Sequence, residues 1–120
     1  MALVPLAEQG NFLHVYDFRV KPGTGDEFIQ LFNEADYSDD NLMHKSSAQV
    51  KDGVLCRDAQ DPNHFYLIGE WRSIEEHRAV LKQMMALPRP KFFDLLADKW
   101  APSYVEVVSS TPAEYLNKAS

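Results

Sequence analysis

Trp71 and His77 stand six residues apart, one closing an apolar run and the other inside the helical pattern that follows it. An indole stacks on planar rings and donates one hydrogen bond, and an imidazole exchanges a proton near neutrality. The pair suits a ring bearing an ionisable hydroxyl: Trp71 would stack and donate to its oxygen, and His77 would take its proton. His14 and Tyr16 alternate in a separate β-like run, share a strand face and could line the same space. Met84 follows His77 on one helical stripe and is core or an adaptable pocket wall. Each of these residues also has a plain packing role: Trp71 as a core tryptophan, His77 as a buried helix residue with satisfied nitrogens.

Other chemistries lack their patterns. His14, His44, His64 and His77 form no i, i+4 pair and no HExxH, so no metal site is expected. Cys56 is the only cysteine, has no nucleophile signature and reads as packing. No glycine-rich phosphate loop is present, which argues against a dinucleotide cofactor.

The elements that must position these residues are legible in part. Phe12 to Val20 alternates as a strand, with Phe12, His14, Tyr16, Phe18 and Val20 on one face. Thr24 to Glu27 matches a capping box ahead of a helix from about Gly25 to Tyr37. Residues 38–53 are polar and read as loop or broken helix, ending at Gly53. Val54 to Asp58 and His64 to Arg72 read as a hairpin around Asp61-Pro62. Ser73 to Glu76 is a second capping box, and Ile74, His77, Leu81 and Met84 make the stripe of the helix it starts. Residues 90–100 carry a further helical pattern that Pro102 ends, and Tyr104 to Val108 is a last strand. Residues 1–11 read as a loose arm, 12–109 as one domain, and 110–120 as a tail. The order is βαββαβ: an α+β, ferredoxin-like fold with a four-stranded antiparallel sheet.

The chain has 120 residues, 45% of them apolar, enough for one domain with a core. A net charge of −6 disfavours nucleic acid and anionic membrane surfaces as partners. A single cysteine, no secretory leader pattern and no long apolar span make the cytoplasm the expected location. Several strands are apolar on both faces, so a second copy of the sheet is the expected cover.

The ordered set FRVKPG, DGVLCRD and DPNHFYLIGEWRSIEEH, with its Trp71-Arg72-Ser73 junction, resembles the antibiotic biosynthesis monooxygenase domain over about Phe12 to Ser109. The resemblance implies a dimeric α+β barrel with a pocket between sheet and helices in each subunit. It implies enzymes that oxidise anthrones or hydroquinones with O₂ and need no metal or flavin. Trp71 matches the tryptophan of those enzymes. Leu67 stands where they have asparagine and His77 where they have tyrosine. Haem-degrading relatives have a second tryptophan where this chain has Val80, and their haem histidine falls near Pro90. The expected function is a cofactor-independent monooxygenase or oxidase for a small phenol, quinol or anthrone-like compound. The expected site is Trp71 and His77 as catalytic residues, with His14, Tyr16, Leu67 and Met84 against the substrate. The alternative is a non-catalytic dimer that binds or senses a small apolar molecule.

Overall fold

The computed structural model describes residues 3–116. Strands β1 (Phe12–Arg19), β2 (Gln49–Arg57), β3 (His64–Trp71) and β4 (Pro102–Glu106) form one antiparallel sheet in the order β2-β3-β1-β4. Helices α1 (Gly25–Asp36) and α2 (Ile74–Met85) complete the βαββαβ order. Short 3₁₀ turns lie at Leu42–Lys45, Lys91–Leu95 and Ala113–Tyr115. The ferredoxin-like α+β expectation holds.

Register explains why both helices lie on one face. Residues directly opposite in an antiparallel pair share a face. Phe12, His14, Tyr16 and Phe18 in β1 stand opposite Trp71, Gly69, Leu67 and Phe65 in β3. That face is the apolar alternation read in the sequence, and the aromatic residues of α1 cover half of it. Phe28 and Phe32 pack with Tyr16, Phe18, Val20, Phe65 and Phe92 in one buried cluster. The covering of the other half is α2, which carries His77 over Tyr16 and Trp71. Fully burying each of these large rings contributes about 2–3 kcal/mol.

Three elements differ from expectation. The polar stretch 38–53 is not all loop: β2 starts at Gln49, and Gly53 lies inside it. Its pairing with β3 slips between Lys51 and Val54, a bulge at an edge strand where polar side chains face solvent. Residues 90–100 form only a 3₁₀ turn at Lys91–Leu95, because their aromatic side chains bury without a continuing helix. Pro102 begins β4 rather than ending a helix, which shifts that strand two residues earlier than read.

The caps divide. Ser73 accepts from the Glu76 N–H, as a capping box requires. Thr24 makes no side-chain cap; its hydroxyl donates to the Lys21 carbonyl at 2.6 Å, closing the turn before α1 instead.

The opposite sheet face holds Leu13, Val15, Tyr66 and Ile68, all half-buried, and the exposed Val54 and Val105. Cys56 shares this face and is exposed, so within one chain it is not a packing residue. The stretch read as a loose arm is tied down there. The buried Glu70 carboxylate accepts from the Glu8 N–H at 2.9 Å and the Asn11 amide at 2.7 Å, and Lys51 Nζ donates to the Pro5 and Leu6 carbonyls. Among the described residues no helix is long and apolar enough to cross a membrane.

Candidate functional site

Beneath α2, the sheet presents a row of polar aromatic side chains. β1 supplies His14 and Tyr16 on its helix-facing side, and β3 ends at Trp71 on the same side. Tyr104 in β4 stands opposite His14 and therefore shares that face. His77 enters from the first turn of α2, which starts directly after β3 because Ser73 caps it.

One hydrogen-bonded chain runs through the group. The Tyr16 hydroxyl lies 2.7 Å from His77 Nε2, and the Tyr104 hydroxyl lies 2.8 Å from His77 Nδ1. His14 lies against both neighbours, its ring centroid 4.6 Å from Tyr16 and 4.7 Å from His77. Trp71 meets His77 edge-on at 4.8 Å. Trp100 lies on Tyr16 at 5.1 Å, from a segment without regular structure.

The group is dry and neutral. His14, Tyr16, Trp71 and His77 are at most 5% exposed. Burial, then the charge of His77, lowers the His14 imidazolium to a pKa of about 3. Burial, then the Arg78 charge, lowers His77 to about 4. Burial raises the Tyr16 phenol above its ordinary range, and Tyr104 adds to it. A neutral imidazole has one N–H and one lone pair, so His77 accepts from one tyrosine and donates to the other.

Three buried polar atoms here have no partner: His14 Nδ1, His14 Nε2 and Trp71 Nε1. An unpaired buried donor or acceptor costs about 1–3 kcal/mol, so their gathering in one place calls for a cause.

Of the other residues read as site members, Leu67 stands directly opposite Tyr16 on the same sheet face and packs against the buried cluster that includes Tyr16. Met84 stands apart, half-buried further along α2. Tyr104 and Trp100 belong to the group and were missed by the sequence reading. Their placement depends on the β1–β4 register and on an irregular segment, and neither has a local signature.

One set of potential metal ligands converges among the described residues: Asp36, His44 and Asp52. His44 Nε2 lies 2.9 Å from Asp52 and 3.4 Å from Asp36, so the imidazole itself occupies the space between the carboxylates. Burial raises the Asp36 carboxyl, and His44 opposes the shift.

No family model and no curated protein matches the chain in sequence. Solved structures do match in shape. SnoaB, a cofactor-independent oxygenase from Streptomyces nogalater, superposes with a TM-score of 0.62 at 17% identity over 86% of this chain and 98% of that one. A protein assigned to the antibiotic biosynthesis monooxygenases from Bordetella bronchiseptica gives 0.61 at 16% identity, over 82% and 97%. A dimeric ferredoxin-like protein from an uncultured marine organism gives 0.65 at 16% identity, over 84% and 90%. At such identities the likeness is one of fold: the chain has the ferredoxin-like α+β fold of structures assigned to the antibiotic biosynthesis monooxygenases.

Proposed function

We propose that this protein is a cofactor-independent oxygenase for a small aromatic phenol, quinol or anthrone-like compound. The observation that carries the reading is the set of three unpartnered buried atoms on His14 and Trp71, next to the Tyr16–His77–Tyr104 chain. A phenolic oxygen placed among them would receive the Trp71 N–H and a His14 N–H, both of which favour the phenolate.

His77 is a relay here rather than a strong base. Its lowered pKa keeps charge off the ring. The substrate proton passes to the Tyr16 oxygen while the Tyr16 proton moves to Nε2. The Nδ1 proton moves to Tyr104, whose own proton leaves to water. The ionised substrate then gives an electron to O₂. For a CH₂ centre flanked by aromatic rings, one oxygen atom becomes the new carbonyl and the other leaves as water with the two hydrogens. A quinol instead loses two electrons and two protons to O₂, giving quinone and hydrogen peroxide. A dry site protects these intermediates from water. Trp100 lies on Tyr16 from an irregular segment, and substrate entry to the closed cluster would require side chains such as this one to move.

Two copies pack through the sheet face that carries Val15, Tyr66, Ile68, Val54 and Val105, forming the dimeric α+β barrel. That apolar surface on the side away from the helices is what supports the homodimer.

A non-catalytic binder is the second reading. It is favoured by the closed cluster and by Phe92 and Phe93 filling space beside it. Oxygen uptake by chelator-treated protein against hydroquinones, anthrones and naphthols separates the two. Uptake lost in Trp71→Phe and His77→Ala supports the oxygenase. Binding of the same compounds without uptake supports the binder.

A further inference from the structure

Between α2 and the edge strand β4, an open groove of about 400 Å³ is lined by Arg78, Leu81, Lys82, Met85, Pro102 and Tyr104. Arg78 and Lys82 are one helical turn apart and both exposed. Neither has a carboxylate partner among the described residues, in a chain with 18 acidic and 12 basic residues. Leu81, Met85 and Pro102 give the groove an apolar floor. Tyr104 forms an aromatic wall, with the Arg78 guanidinium carbon 5.0 Å from its ring centroid. Two cations without a carboxylate partner, one of them stacked on Tyr104, beside an apolar surface match a molecule with a flat apolar body and one negative end.

We propose that this groove binds an aromatic acid, its carboxylate held by Arg78 and Lys82 and its ring lying on Met85 and Leu81 beside Tyr104. The Arg78 fork suits a carboxylate by two parallel hydrogen bonds, and Lys82 adds a point charge.

The groove also communicates with the interior. Among the described residues, Tyr104 is the one that both lines it and bonds to His77. The Arg78 charge is the second cause that depresses His77, so an anion paired with Arg78 relieves part of that depression. The binding site stands on the groove alone. That a bound acid is a substrate for oxidation rests on the oxygenase reading above.

The test is calorimetric titration of the full chain, under argon, with 2-naphthoate and with its uncharged counterpart 2-naphthamide. The acid is expected to bind about tenfold tighter than the amide, a preference that charge-assisted hydrogen bonds supply. Arg78→Gln/Lys82→Gln should abolish the preference, and circular dichroism should show an intact fold. Lys91→Gln, a cation elsewhere on the surface, should keep it. Equal binding of acid and amide, or a preference that survives in the double variant, overturns the proposal. Oxygen plays no part in this titration, so a failed oxygenase assay leaves its outcome readable.

Discussion

The imidazole of His14 lies over Gly69: a Cβ at that glycine would come within 2.7 Å of His14 Cε1. The two face each other across the β1–β3 pair. The absent side chain is what lets a histidine ring lie flat inside the group, next to Tyr16 and His77. Gly69→Ala forces the ring to move and should cost about 1–3 kcal/mol by overpacking. Urea unfolding gives the cost, and the His14 ring resonances should shift in the same variant.

The Tyr16–His77–Tyr104 chain predicts unequal costs for removing its two hydroxyls. Tyr16→Phe leaves His77 Nε2 buried without a partner and should destabilise by about 1–3 kcal/mol. Tyr104 is half-buried, so water can replace its hydroxyl and Tyr104→Phe should cost less. If the proton leaves through Tyr104, that milder variant should still lower kcat about 100-fold and leave KM unchanged. A Tyr104→Phe enzyme at full rate would remove Tyr104 from the relay.

Acid should weaken the fold through His14 and His77. Above about pH 6.5 both rings are neutral in the folded and unfolded chains. Below it the unfolded chain takes up protons that the folded chain refuses until about pH 4 for His77 and about pH 3 for His14. Stability therefore falls from about pH 6.5 towards about pH 3, by up to about 1.4 kcal/mol per pH unit for each ring. Asp36 acts in the opposite sense at the acid end, since its raised carboxyl is protonated first in the folded chain. Urea titrations at about pH 7 and about pH 5 measure the slope. His14→Asn should reduce it, and an unchanged slope would mean that His14 is not held neutral.

The two helix starts respond differently to the same kind of substitution. Ser73→Ala removes a cap from α2 and should cost about 1 kcal/mol. Thr24→Ala removes no cap from α1 and should cost visibly less. Thermal melts of the two variants side by side decide it.

The outer sheet face should bring two copies together. Light scattering at micromolar concentration should give twice the mass of one chain, and Val15→Arg should weaken association at least about tenfold by burying an unpaired charge. A wild-type monomer under those conditions would remove the barrel assembly.

The parts legible in the sequence are those where one period rules. β1 alternates strictly, and its face assignment for His14, Tyr16 and Phe18 follows from that alone. The start of α2 is written in Ser73 and Glu76, so Trp71 and His77 were read as neighbours and are. β2 was read short because its first residues, Gln49 to Gly53, form an edge with a bulge, where polarity hides a strand. Residues 90–100 read as helix because aromatic spacing imitates one. Tyr104 stayed invisible as a site residue because its place is fixed by register with His14, ninety positions earlier. No local pattern encodes such a pairing.

The pairing of β1 with β4 also decides how the molecule would respond to a pull. Phe12, at the start of β1, stands opposite Glu106, at the end of β4. The Gly10 N–H donates to the Val107 carbonyl and the Val107 N–H to the Asn11 carbonyl, 2.9 Å each, just outside the ladder. Force applied to the chain at positions 11 and 107 therefore loads one hydrogen-bonded pair at a time and peels β4 away like a zip. The direction that shares load among many bonds at once runs along β1 and β3. Tethered at those two points, the fold should yield at low force, and β4 should be the first element to leave.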